Sequence, residues 1–356
     1  DFCLSRGLGD VYKRQLTKGR YNVAVGWKAL YTEDVGDVST AVGIQALYSQ
    51  NSDSDNEDAA NTGIGKAAGF YNVTGQNNTY VGRHAGFGVS GKSHSGCIFI
   101  GKDAGLTAYT GDNNIAIGFG AMDDVDADTT VGASTENVFI GKDSGGGTWT
   151  TAASNYNVAI GNTTMDANMN GALRNTAIGH GAMTSHTAGD DNVVVGAGAG
   201  GILQRGIQNV IIGAGSDLGS GGDDDSNVII LGYGIDATAG VSNVAIIGNA
   251  SVTDVHMASD QGATVHCAAV VEGSSLEIKK NISEIESPLE KISKLRGIEF
   301  DYKETDKHSI GMIAEEVNEV FPELVTKNPD GEVEAMSYSR TVSYTHLRAH
   351  ETGRNL

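Results

Sequence analysis

The chain has 356 residues, room for about two to three domains, and a formal net charge of −20 with no basic patch above the acidic background, which excludes a general nucleic-acid binder. Fifty glycines, three prolines and 6% aromatics, without a Gly-X-Y period, exclude collagen and argue against an ordinary globular core filled with aromatic rings.

The chain opens on a segment that does not continue into the pattern beside it. Residues 5–15 read SRGLGDVYKRQ, and near the other end residues 342–352 read VSYTHLRAHET. Back-translation of the first, read on the opposite strand, encodes Val342–Glu351, so one oligonucleotide accounts for both. Residues 1–15 and 342–356 are therefore expected to be adapter-derived and are set aside, as an expression scar would be. His346 and His350, which mimic a helical metal pair, are assigned nothing on that ground.

Residues 16–250 repeat one phrase thirteen times: a small polar residue, three or four mostly apolar ones, then glycine. The first copy ends at Gly26 and the last at Gly248, and successive glycines are 16 to 23 residues apart, most often 17. Such a period marks a repeat architecture. The centre of the unit reads as β-branched or apolar (Val42, Ile64, Ile100, Ile117, Ile140, Ile160, Ile178 and Val195), which suits a short strand buried on at least one face. The following glycine permits a sharp bend or positive φ. Asn at the strand start tolerates turns, and the Asp-, Ser-, Thr- and Gly-rich spacers read as loops. One such strand cannot bury its apolar side alone, whereas stacked copies share a continuous core. The fold class is therefore mainly β: a parallel β-solenoid or β-roll shaft of about thirteen repeats, with the thirteen glycines in one column.

Residues 251–273 read as a short β neck without the glycine beat. Residues 274–341 are charged and mixed in period. Ser287-Pro288-Leu289-Glu290 has the form of a capping box, with Leu289, Ile292 and Leu295 as an apolar stripe and Gly297 as the stop. Ile298, Phe300 and Tyr302 alternate as a strand, and residues 310–320 predict a second amphipathic helix ended before Pro322.

Four ordered stretches in this segment, SSLEIKKNI (274–282), residues 289–302, IGMIAEEV (310–317) and FPELV (321–325), resemble the C-terminal intramolecular chaperone domain of phage tail fibres and tailspikes, peptidase family S74. The resemblance implies a truncated α+β domain over residues 274–341, lacking the C-terminal helices that join three chains. It also implies a self-cleaving dyad of Ser274 and Lys279, with scission at the Gly273–Ser274 bond. A lysine can deprotonate a serine hydroxyl when desolvation leaves the amine neutral. Ser275 and Glu277 stand where the family commonly has aspartate and arginine. Glu277 would hold Lys279 charged and slow the reaction. The repeats resemble, less specifically, tail-fibre shafts and the trimeric β-roll heads of autotransporter adhesins.

These resemblances imply a phage tail fibre built as a homotrimer on the virion, engaging a host cell-surface receptor, with the C-terminal domain serving as trimerisation chaperone. The alternatives are a bacterial trimeric surface adhesin and a glycan-degrading tailspike, which needs paired carboxylates in a groove. The reaction would be at most a single-turnover serine endopeptidase event without a cofactor. Cys3, Cys97 and Cys267 show neither disulfide framework nor zinc spacing, and Cys97, at a repeat's opening position, reads as a small buried residue. The acidic runs 53–58 and 223–225 could attract calcium but follow no EF-hand spacing, so no metal site is assigned. No signal peptide or membrane-spanning run is visible, and no membrane insertion is expected.

Overall fold

The computed structural model describes residues 18–55, 57–124, 134–149, 152–219, 224–237, 240–253, 255, 277, 279–283, 287–303, 306, 308–328 and 330–338. The chain divides into two compact units, Asp1–Gln261 and Gly262–Leu356. Of the expected neck over residues 251–273, residues 254 and 256–273 lie outside the described residues, as do both terminal flanks.

The first unit is a parallel β-solenoid of about twelve turns. Thirteen three-residue strands, from β1 (Val23–Val25) to β13 (Ala245–Ile247), stack in strict sequence order in one sheet. The register is unbroken: Val23, Ala24 and Val25 face Thr40, Ala41 and Val42 of β2, and the same three-for-three pairing continues to Ile229, Ile230 and Leu231 of β12 against β13. Each terminal glycine lies against the next. An added Cβ on Gly43 would lie 2.5 Å from the Gly65 carbonyl oxygen, and Gly43 has φ +134°, so no side chain fits at this step of the column.

The inward residue is the middle one of each strand, which corrects the reading of Val42, Ile64 and their equivalents as the strand centres. Ala41, Tyr80, Phe99, Ala116, Phe139, Ala159, Ala177, Val194, Ile211 and Ile230 are fully buried, while their β-branched neighbours point outward. With only three residues per strand, alternation sends one side chain in and two out. The core is filled by exchange of volume within each coil. Where the strand centre is alanine, as at Ala41, Ala116, Ala159 and Ala177, the corner four residues after the glycine carries Leu47, Met122, Met165 or Met183. Where the centre is Tyr80, Phe99 or Phe139, that corner is Gly86, Gly105 or Gly145, and a Cβ there would run into the ring. The corner keeps positive φ in both cases (Met165 +49°, Gly145 +64°), so its backbone is fixed and only its volume varies.

The strand-opening asparagines form a second column. Asn137 Oδ1 accepts from the backbone N–H of Asn157 (2.9 Å) and from its side-chain amide (3.2 Å), and Asn157 Oδ1 does the same for Asn175 (3.0 and 3.1 Å). Each amide also donates to a loop carbonyl, as Asn157 does to Ala172 (2.8 Å). The ladder continues through Asn192 and Asn209, all fully buried. Such residues are expensive to bury unless every polar atom is paired, and here the repeat itself supplies the pairs. Cys97 interrupts the column. Its backbone N–H donates the same capping bond to Asn78 Oδ1 (2.9 Å), its Sγ approaches the Gly111 carbonyl at 3.4 Å, and burial pushes its thiol up to about 12.

The second unit has a helix α1 (Pro288–Ile292), a hairpin of β14 (Ile298–Asp301) and β15 (His308–Gly311), a helix α2 (Ala314–Val320), a 3₁₀ turn (Pro322–Leu324), and a hairpin of β16 (Val325–Lys327) and β17 (Val333–Met336). The expected helix over residues 310–320 is split. Ile310 and Gly311 pair with Glu299 and Ile298, and the helix starts only at Ala314. Ser287 accepts the first helical bond from the Lys291 N–H (3.2 Å), but its φ of +48° lies outside the extended region an N-cap serine adopts, so the expected capping box does not form. Val317, Phe321 and Leu324 make the buried core of this unit, flanked by Ile292, Leu295 and Met336. Among the described residues no helix is long and apolar enough to cross a membrane.

Candidate functional site

Of the residues assigned to scission, Gly273 and Ser274 lie outside the described residues. Lys279 is exposed and without regular secondary structure, and Glu277 two residues before it is exposed as well. The geometry of the expected dyad is therefore carried by sequence alone.

Downstream, the hairpin and α2 are tied together by specific bonds. Arg296 holds Glu316 in a bidentate pair (2.9 and 2.5 Å), which lowers the carboxyl pKa of Glu316 from its ordinary value. The Tyr338 hydroxyl accepts the Met312 N–H at 2.9 Å. Together with Ile292, Leu295 and Ile298 these segments border an open groove of about 930 Å³, with Ile310 three-quarters exposed at its edge.

The solenoid presents three surface columns. The first is the outward face of the sheet, where two side chains per strand, mostly Val and Ile, repeat along all thirteen strands. The second lies five residues after the glycine. It begins as a stack of half-buried rings, Tyr31–Tyr48–Phe70–Phe87, with centroids 5.2, 4.8 and 5.2 Å apart and planes within 17° of parallel. The facing sides of neighbouring rings are spent on one another, and Lys28 Nζ lies 4.9 Å from the Tyr31 ring centre. The same column then turns acidic at Asp123 and Asp166, beside Asp143. Burial is the first cause that raises the Asp123 carboxyl to about 6, with Asp143 and Asp166 adding repulsion, and it raises Asp166 in the same direction. The third column, one residue after the glycine, carries Lys66, Arg83, Lys102, Phe119 and Lys142, with Lys102 Nζ 4.6 Å from the Phe119 ring centre.

The acidic runs singled out in the sequence are engaged with protein groups. Asp224 pairs with Arg205 (2.8 and 3.0 Å), Asp225 accepts from the Gly240 N–H (2.8 Å), Glu57 accepts from Asp53 (3.0 Å), and Asp55 pairs with Lys18 (2.5 Å). Among the described residues no group of three or more His, Cys, Asp or Glu is arranged to hold a metal ion.

The asparagine ladder, the outward stripe and the ring stack were not anticipated. Each had a signal in the sequence, namely a residue type recurring at one fixed offset from the glycine. Two buried histidines had none. His94 meets the Tyr80 hydroxyl through Nε2 (2.8 Å) and His186 meets the Gly189 carbonyl (2.9 Å), and in both Nδ1 is buried without a partner.

Comparison with known families gives one match: residues 274–326 fit the Peptidase S74 family, described as chaperone of endosialidase. The match lies within the second unit and includes none of the solenoid. No curated protein and no solved structure matches this chain.

Proposed function

We propose that this chain is a shaft and chaperone portion of a phage tail-fibre or tailspike-like homotrimer that engages a host cell-surface receptor. The carrying observation is the order of parts: thirteen in-register strands and, C-terminal to them in the chain, a segment that fits the chaperone-of-endosialidase family. Long, near-identical repeats can pair one coil out of step at little local cost, so three chains need an external device to set register before the shaft zips. A C-terminal clamp supplies it, and scission afterwards makes assembly irreversible.

In the proposed scission Lys279, as the free amine, takes the Ser274 hydroxyl proton. The oxygen attacks the Gly273 carbonyl carbon, the C–N bond breaks, and the proton passes to the departing amine of Ser274. Water then hydrolyses the resulting ester, leaving a carboxylate on Gly273 and restoring the serine. The test is mass spectrometry of a chain extended by the helical region that the resemblance places after residue 341. A fragment beginning at Ser274 is expected, absent in Ser274→Ala and strongly reduced in Lys279→Ala. A chain that stays intact, or a cut that survives Ser274→Ala, overturns the assigned chemistry.

A further inference from the structure

The outward face of the solenoid sheet is apolar where a lone solenoid needs polarity. Antiparallel sheets with one wet face alternate apolar and polar residues, and parallel sheets are normally covered on both faces. Here the two outward side chains of each strand are Ile98 and Ile100, Ile115 and Ile117, Val138 and Ile140, Val158 and Ile160, and so on to Ile229 and Leu231, with Thr40, Thr62, Thr79 and Thr176 as the polar members. Ile64, Ile178 and Ile212 are 41%, 38% and 42% exposed in the single chain. Thirteen strands at ~4.8 Å spacing make a stripe about 58 Å long and two side chains wide. Its area, on the order of 600 Å², is at the upper end for one patch on a monomer. It also approaches the ~800 Å² that each partner contributes to a standard stable interface.

We infer that this stripe is the contact face between copies of the chain, and that a second copy lies on it parallel and in register. Three features favour that occupant. The stripe has a fixed step along its whole length, and among protein surfaces another copy matches that step and that length. In a parallel, in-register contact threonine levels meet threonine levels and Ile–Val levels meet their own kind, whereas an antiparallel contact sets Thr79 against the level of Val193. Turned toward a common axis, the face brings each level of one copy against the same level of its neighbours, which closes a ring of three. The parallel direction and the number three rest on the fibre reading above; the apolar face itself does not.

Two experiments test the inference. In the first, Ile64→Cys and Ile212→Cys are introduced separately, at levels near opposite ends of the stripe, and oxidised at low concentration, with Thr74→Cys in a loop as control. Each stripe variant is expected to give a disulfide-linked dimer with itself on a denaturing gel, beyond the level seen for the unsubstituted chain and the control. Linkage between Ile64→Cys and Ile212→Cys chains, in place of self-linkage, overturns the parallel register. In the second, sedimentation compares the unsubstituted chain with Ile160→Lys/Ile178→Lys/Ile212→Lys. These side chains are outward, so the single-chain fold tolerates them, and far-UV circular dichroism checks that it does. Association is expected to weaken more than about a hundredfold as like charges meet across the axis. An unchanged assembly in the triple variant removes the stripe as the contact and leaves the trimer standing. An unsubstituted chain that stays monomeric and gives no cross-link overturns the contact face, while the scission test still decides the chaperone reading.

Discussion

The two units hold themselves together in opposite ways. In the solenoid each coil repeats the same solution: an inward centre, a corner of complementary volume, an asparagine rung and a glycine that lets the next coil close in. Stability is then roughly a sum over coils and their interfaces, and a fault in one coil is a fault in one term. Among its described residues the C-terminal unit has three buried apolar side chains and two two-stranded sheets, an amount of core that is marginal on its own. A defect there has no neighbouring copy to fall back on.

The sharpest break of that comparison is Gly179→Ala. The added Cβ would lie 2.5 Å from the Gly196 carbonyl oxygen at φ +134°, and we expect a loss above about 4 kcal/mol, read as failure of the coils to stack in circular dichroism. Gly198→Ala, at φ +66° with open space around it, should cost about 1 kcal/mol.

Next come two ring deletions. Phe321→Ala removes a fully buried side chain at about 3–5 kcal/mol, enough to unfold the C-terminal unit, so its amides should lose exchange protection while β1–β13 keep theirs. Phe99→Ala should cost a similar amount within its own coil. Adding Gly105→Met should recover at least half of it, because the pair then reproduces the Ala159–Met165 arrangement. If the second change recovers nothing, the exchange of volume is not what fills the core.

Acid should separate the units more gently. Burial holds His94 and His186 neutral, with pKa lowered to about 4 from an ordinary 6.5. The unfolded chain therefore binds more protons between those values. The stabilisation is full above pH 6.5 and is lost as pH falls toward 4, by up to about 3 kcal/mol per histidine. Asp123, raised to about 6, acts in the opposite direction and is relieved by acid. Among the described residues of the C-terminal unit no histidine is buried, so its denaturation, followed at Tyr302 and Tyr338, should lack that fall. A flat profile for the solenoid between pH 6.5 and 4 would show that these rings find a proton acceptor on charging.

The smallest effect is a gain. Cys97→Asn restores the missing rung, with the Gly111 carbonyl already placed fourteen residues on, as Gly75 is for Asn61. About 1 kcal/mol of added stability is expected in thermal unfolding.

What was legible in the chain follows from the same contrast. The glycine beat exposes a constraint on backbone position, so strand order, number and the glycine column could be read directly. Which strand residue faces inward could not be read from hydrophobicity, because Ala41 and Gly63 are inside while Ile64 and Ile212 are outside. The deciding signal was the pairing of a small centre with a large corner, visible only once offsets from the glycine are compared. In the C-terminal unit Ile310 and Gly311 sit on a helical period yet pair with β14, a tertiary preference that local pattern does not carry. His94 and His186 occur once each, so repetition could not mark them.

The ladder hydrogen bonds of the sheet run along the direction in which coils stack, which gives the solenoid a mechanical character. Tension applied along that direction falls on one inter-coil seam at a time, and each seam that parts releases 16 to 23 residues of slack. At ~3.4 Å per extended residue that is about 55–80 Å per event. A solenoid made this way yields in small, countable steps and re-forms from the intact coil beside each break, dissipating a pull instead of snapping under it.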